Sequence, residues 1–183
     1  MSKKSKDLIA KSLIELMQDH PYKLITISEI CDNTQVVRKT YYNNFSSKHD
    51  VISYYCKKLI DEYFNSVLDN NNEMVKDTSS LFFLFGEKHK DELRLLMDNN
   101  LYHIFGEEFR AVLPRLQSIL PKQKLFEVQK EDLEFIYSFL SAGIIQILEQ
   151  WIKTNSTKTI KELTDIYFYI IDNIPEAIHP STI

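Results

Sequence analysis

Residues 25–52 read ITISEICDNTQVVRKTYYNNFSSKHDVI and concentrate side chains that can donate hydrogen bonds. Cationic, hydroxyl and amide donors of this kind contact phosphate oxygens and the edges of bases. The donors that would project from one short helix are Arg38, Lys39, Thr40, Tyr42 and Asn43. Thr26 and Lys48 add a hydroxyl and an ammonium group near the two ends of the same stretch. The predicted chemistry is therefore hydrogen bonding to a nucleic acid rather than catalysis.

Two short helices joined by a tight turn are needed to position these donors. Thr26 and Glu29 form a T-x-x-E capping box that begins one helix, and Ser47 and Asp50 form a similar pattern before a later helix. The short helix between them fits a DNA major groove, which is about 12 Å wide. The residues expected to face the groove are Arg38, Lys39 and Asn43. The residues expected to hold phosphates are Thr26, Thr40, Tyr42 and Lys48.

This stretch resembles the DNA-binding domain of the TetR family of bacterial transcription regulators. The residues that carry the resemblance are Ile25-Thr26-Ile27, Glu29-Ile30, Arg38-x-Thr40-x-Tyr42-x-x-Phe45 and Lys48. The R-x-T-Y-Y run is similar to the subgroup that includes the activator of dihydroxyacetone kinase operons. The resemblance covers residues 6–60 and implies a homodimer that binds a palindromic double-stranded DNA operator. It also implies a repressor controlled by a small-molecule effector, with activation left open by the subgroup.

Two departures from the TetR pattern keep a second hypothesis open. The family usually has glycine where this chain has Gln35, and serine where it has Val37, whose side chain cannot accept an N-cap hydrogen bond. The alternative is a helical ligand- or protein-binding subunit with a degenerate DNA-binding head. An enzyme is not expected, because the sequence lacks a Gly-rich phosphate loop, H-E-x-x-H and G-x-S-x-G. Neither a cofactor nor a metal is expected, since the cysteines have no C-x-x-C spacing.

Charge is distributed unevenly along the chain. Residues 1–60 hold ten Lys and Arg against six Asp and Glu, whereas residues 61–183 hold twelve against twenty. A basic head on an acidic body suits local contact with phosphates. No apolar run reaches the roughly 18 residues that a membrane span needs, and the N-terminus lacks the cleavage site of a signal peptide. We therefore expect a cytoplasmic protein with no membrane partner and with reduced cysteines.

The remaining pattern predicts an all-α protein. We expect a helix-turn-helix DNA-binding domain at residues 1–50 and a helical regulatory and dimerisation domain at residues 51–183. A long fourth helix at residues 47–70 would link them, and the polar run at residues 69–72 marks the break. Pro114 is expected to interrupt a helix at residues 100–120. The other predicted helices are 4–19, 74–88, 90–97, 131–153 and 158–174, with a polar connection at 121–130.

Two apolar stripes near the C-terminus have two interpretations. Stripes at helical spacing are most often ordinary core. The TetR resemblance instead implies that these helices pair with their copies, and a glycine within the first one would permit close approach. The residues expected at the dimer interface are Leu140, Gly143, Ile144, Ile147, Trp151, Ile166 and Ile170.

The body is rich in aromatic residues, which also have two interpretations. Aromatic side chains at helical spacing usually form core, whereas a TetR-type body would use them to line an apolar effector pocket. Two histidines and an arginine are candidates to orient a polar end of the effector. The residues expected to line this pocket are Phe82, Phe85, His89, Tyr102, His103, Phe105, Arg110 and Tyr137.

Overall fold

The computed structural model describes residues 3–69, 78–119 and 130–178, and these ranges are all-α with no strand. The helices are α1 (Lys3–Asp19), α2 (Ile27–Thr34), α3 (Arg38–Tyr42), α4 (Lys48–Asp69), α5 (Thr78–Lys88), α6 (Lys90–Asp98), α7 (Tyr102–Ile119), α8 (Leu133–Lys153) and α9 (Ile160–Ile178). The predicted all-α class is confirmed. The predicted break after Asp69 and the connection at 121–130 lie almost entirely outside the described residues.

Reciprocal side-chain caps begin several helices, as the sequence predicts. The Thr26 hydroxyl accepts from the Glu29 backbone N–H at 3.2 Å, and the Glu29 carboxylate accepts from the Thr26 N–H at 2.6 Å. The same reciprocal bonds are made by Ser47 with Asp50 and by Thr159 with Glu162. Because these bonds satisfy backbone donors that have no partner within the helix, they fix where each helix starts.

The predicted interruption at Pro114 is wrong, because α7 continues through it. A proline removes one backbone donor and usually kinks or ends a helix. Here Val112 and Leu116, on either side of the proline, are buried. Burial of this apolar face outweighs the local disruption, so α7 keeps its helical course.

The chain forms two compact units. The first contains Met1–Glu62 and Asp91–Val112, and the second contains Tyr63–Lys90 and Leu113–Ile183. The first unit extends past the predicted boundary at residue 50, because it contains residues 48–62, about two thirds of α4. Asp7 of α1 accepts hydrogen bonds from Tyr54 at 2.8 Å and Lys58 at 2.6 Å, both on α4. The hydrogen bond from Lys58 lowers the pKa of Asp7.

Candidate nucleic-acid interface

The turn between α2 and α3 is closed by a residue in the left-handed conformation. Gln35 has φ 57° and ψ 24°, and its N–H donates to the Asp32 carbonyl at 3.3 Å. The next N–H, that of Val36, donates to the Cys31 carbonyl at 3.1 Å. These bonds satisfy carbonyls at the end of α2, as a C-terminal glycine usually does. Gln35 therefore makes the turn for which the family pattern uses glycine.

A buried aromatic residue anchors α3 to the first unit. Tyr41 has no exposed surface, and its ring lies 6.2 Å from that of Phe45, which in turn lies 5.6 Å from that of Tyr54 on α4. The Tyr41 hydroxyl and the Asn44 side-chain oxygen are buried with no hydrogen-bond partner. Because the anchoring side of α3 faces the core, the opposite side is left in solvent.

The recognition surface consists of the exposed side chains on and beside α3, namely Val37, Arg38, Lys39, Tyr42 and Asn43. Val37 is 67% exposed and Tyr42 is 58% exposed. Arg38 is exposed, but its guanidinium donates to the Ser28 hydroxyl on α2. Thr40, which was also predicted to contact DNA, is half-buried. The structure thus brings most of the predicted donors to one side of a single short helix.

Thr26 and Lys48, the other two residues predicted to contact phosphates, have hydrogen-bond partners within the protein. The Thr26 hydroxyl is already used in the capping box, where it also donates to the Glu29 carboxylate at 2.7 Å. The Lys48 ammonium donates to the backbone carbonyls of Tyr22, at 2.7 Å, and Ile25. It also lies 4.6 Å from the centre of the Tyr22 ring, and burial lowers its pKa. Thr26 is exposed and Lys48 is half-buried, so their contacts with phosphates stay predictions.

The hydrogen-bond partner of Tyr22 was not predicted from the sequence. The Tyr22 backbone N–H donates to the Asn99 side-chain oxygen at 2.8 Å, so the loop between α1 and α2 is tied to the turn after α6. Asn100, beside it, has φ 59°. The Asn-Asn pair signals a turn in the sequence, but its spacing gives no indication of a partner 77 residues away. All of these residues lie in the first unit.

The predicted dimer interface divides into surface and core residues. Gly143 and Ile170 are exposed, and Leu140, Ile147 and Ile166 are half-buried. Ile144 and Trp151, which are also predicted at the dimer interface, are buried within the chain. The Trp151 ring N–H donates to the Lys158 carbonyl at 3.0 Å, and the Lys90 ammonium lies 4.9 Å from its ring. These contacts place Trp151 within the second unit.

Helix α8 carries a second apolar side opposite its buried one. Phe135 is 77% exposed and Phe139 is 56% exposed. A β-carbon built on Gly143 would meet nothing within 4 Å, whereas one on Gly86 of α5 would overlap the side chain of Leu148. Gly86 is therefore explained by packing within the unit, but Gly143 is not. By length and hydropathy α8 could cross a membrane, although the core helix of a globular protein passes the same test.

The residues predicted to line an effector pocket belong to both units. In the second unit Phe82, Phe85, His89 and Tyr137 are buried, and Phe85 lies 4.6 Å from His89 by ring centres. In the first unit Tyr102 and Phe105 are buried with ring centres 5.6 Å apart. His103 and Arg110 are exposed, which is not the position expected for groups enclosed in a pocket.

An exposed short helix that follows a tight turn is the arrangement found in helix-turn-helix DNA-binding proteins. The family model TetR_C_8, described as "Transcriptional regulator C-terminal region", matches residues 81–173, which is just over half of the chain. The chain belongs to the TetR family of transcriptional regulators. It is therefore a DNA-binding regulator of transcription and not an enzyme.

Individual relatives agree with this assignment. The chain is 25% identical over 162 residues to the HTH-type dhaKLM operon transcriptional activator DhaS of Lactococcus lactis, covering 84% of this chain and 82% of the relative. A TetR transcriptional regulator from Streptococcus agalactiae has the same fold with TM-score 0.63 and 21% identity, covering 92% and 94% of the two chains. Thermus thermophilus FadR, a TetR family repressor in complex with lauroyl-CoA, gives TM-score 0.55 and 17% identity, with 97% of each chain covered.

Proposed function

We propose that the chain works as a homodimer that binds a palindromic operator in the cytoplasm and represses the adjacent promoter, under control of a small-molecule effector. The observation that carries the proposal is the recognition surface, which remains in solvent while Tyr41 holds α3 in place. An excess of cationic over anionic residues in the first 60 residues favours phosphate contact there. Recognition helices of such dimers enter successive major grooves, about 34–36 Å apart.

Binding to the chain's own promoter tests the DNA-binding part. We expect fluorescence anisotropy at moderate salt to show a clear preference for this promoter over random DNA. Arg38→Ala should cost about 1–3 kcal/mol at the operator and relax its specificity if Arg38 reads a base. Lys161→Ala, on the exposed surface of α9, is the control and should change nothing. Equal affinity for promoter and random DNA would favour the subunit with a degenerate head.

The two departures in the head are compatible with the operator-binding proposal. Gln35 adopts the left-handed conformation that the turn requires, although it is not glycine. Val37 provides no cap, yet α3 begins at Arg38 with the Val37 carbonyl accepting from the Thr40 N–H at 2.8 Å. Neither departure removes the short helix that the recognition surface needs.

The second apolar side of α8 supports the dimer. Exposed phenylalanines and a glycine that no contact among the described residues requires are expected where two copies of a helix approach closely. Gly143→Leu should separate the copies and yield a monomer in light scattering. Lys161→Leu adds the same side chain to α9 at a position about 140° around the helix from Ile166, so it should leave the dimer intact. A monomeric wild-type protein at micromolar concentration would refute the proposal.

Activation of the adjacent promoter is the alternative to repression. DhaS of Lactococcus lactis is an activator, and its similarity covers most of this chain. A reporter fused to the chain's own promoter separates the two possibilities. Repression predicts that deleting the chain raises reporter expression, whereas activation predicts that expression falls.

The proposed effector is mostly apolar, aromatic or acyl, and of modest size. The buried aromatic residues of the second unit support it, as does the lauroyl-CoA bound to Thermus thermophilus FadR. A compound present at 100 times its dissociation constant should add about 2.7 kcal/mol of stability, which a thermal-shift screen detects. Compounds that stabilise the protein without changing its operator affinity would contradict control of DNA binding.

A further inference from the structure

Val37 is an exposed apolar side chain placed where a DNA-reading helix begins. Its backbone is extended, with φ −73° and ψ 148°, and its side chain makes no capping hydrogen bond. Its carbonyl accepts from the N–H groups of Thr40, at 2.8 Å, and Tyr41, at 3.3 Å. These bonds fix the Val37 backbone to the first turn of α3, and the branched side chain has few rotamers. Its two methyl groups are therefore held in a defined position.

Packing among the described residues gives little reason for a valine at this position. The side chain is 67% exposed, so it contributes little to the core. A serine at the same position would cap α3, and such a cap typically stabilises a helix by about 1 kcal/mol. Val37 makes no such cap and instead exposes an apolar side chain to water. This exchange does not stabilise the isolated protein. A contact between this side chain and DNA would account for a valine at this position.

The chemistry of the major groove limits what that contact can be. Base edges in this groove present hydrogen-bond donors and acceptors, and the C5 methyl group of thymine is the apolar group among them. Residues at the N-terminus of a recognition helix are the ones that contact base edges. We infer that Val37 contacts the C5 methyl group of a thymine in each operator half-site and thereby selects thymine at that position. This inference rests on the proposed operator binding.

Removing the thymine methyl group without changing base pairing tests the inference. After the operator is located by footprinting, each thymine of a half-site is replaced singly by deoxyuridine, and affinity is measured for wild-type protein and Val37→Ala. We expect one position at which deoxyuridine weakens wild-type binding about fourfold per half-site, since this is the effect of losing one buried methyl group. The same replacement should have almost no effect on Val37→Ala.

Two further variants separate the contact from an effect on helix stability. Val37→Thr retains one methyl group and should keep most of the deoxyuridine effect. Val37→Ser supplies a cap and should raise the midpoint of thermal unfolding while abolishing that effect. Because Val37 is exposed, all three variants are expected to fold.

The outcomes distinguish this inference from the proposed function. Specific operator binding with no deoxyuridine effect at any position would overturn the contact and leave operator binding intact. A deoxyuridine effect that persists in Val37→Ala would assign the methyl contact to another residue. Equal affinity for operator and random DNA would overturn operator binding, and the inference would fail with it.

Discussion

A substitution of Lys48 tests whether its ammonium group stabilises the fold or contacts a phosphate of DNA. Its ammonium donates to the carbonyls of Tyr22 and Ile25, and hydrogen bonds to a charged group contribute about 1.5–3 kcal/mol each. Because Lys48 is only half-buried, the lower value applies, and losing two such bonds should cost about 3 kcal/mol. Lys48→Met retains the length and packing of the side chain but removes the charge. We therefore expect a large loss of stability from this substitution.

Urea denaturation and salt-dependent DNA binding measure the two roles separately. Lys48→Met should lower the free energy of unfolding by about 3 kcal/mol with an unchanged denaturant slope, at fixed protein concentration. Under conditions in which Lys48→Met remains folded, the salt dependence of its operator affinity should equal that of wild type. The matched control is Lys39→Met, an exposed change on α3 that should leave stability within about 0.5 kcal/mol.

The control, Lys39→Met, should change the salt dependence of DNA binding, which Lys48→Met should leave unchanged. If each Lys39 contacts one phosphate, the slope of log affinity against log salt should fall by about 0.9 per contact, or about 1.8 for a dimer. The reasoning is refuted if Lys48→Met flattens the salt slope and leaves the free energy of unfolding unchanged. That result would support the phosphate contact that the sequence predicts for Lys48.

Three further predictions concern Gln35, Tyr41 and Glu108. Gln35→Gly should stabilise the protein by about 0.5–1 kcal/mol, because relief of left-handed strain, about 1–2 kcal/mol, exceeds the entropy cost of glycine. A lower free energy of unfolding in urea would contradict this prediction. Tyr41→Phe removes a buried hydroxyl without a partner and should raise the free energy of unfolding by about 1 kcal/mol, whereas Tyr54→Phe, which breaks the bond to Asp7, should lower it. Burial raises the pKa of Glu108 above its ordinary value of 4.5. The folded state then binds the proton more tightly, so the free energy of unfolding falls as pH rises between the unfolded and folded pKa values. Glu108→Gln should remove this fall and be more stable than wild type at neutral pH, and identical pH–stability curves would refute it.

Features set by nearby residues were predictable from the sequence, and features set by distant ones were not. The capping boxes depend on residues three positions apart, so Thr26 with Glu29 is visible in the sequence and present in the structure. Lys48 finds its carbonyl partners 23 and 26 residues earlier, which no local pattern reveals. Helix α8 is apolar on two opposite sides, and periodicity alone does not say which side is core. Ile144 and Trp151, predicted at the dimer interface, lie on the side of α8 that is buried within the chain.

The tie between α1 and α4 determines how short an autonomous head can be. A polypeptide cut after residue 50 would retain Asp7 but lose both of its hydrogen-bond donors, Tyr54 and Lys58. Phe45 would also lose the ring of Tyr54, which packs behind the aromatic anchor of α3. Such a fragment would contain every residue of the recognition surface without the support that orients it. A minimal DNA-binding fragment of this protein therefore has to extend through Lys58.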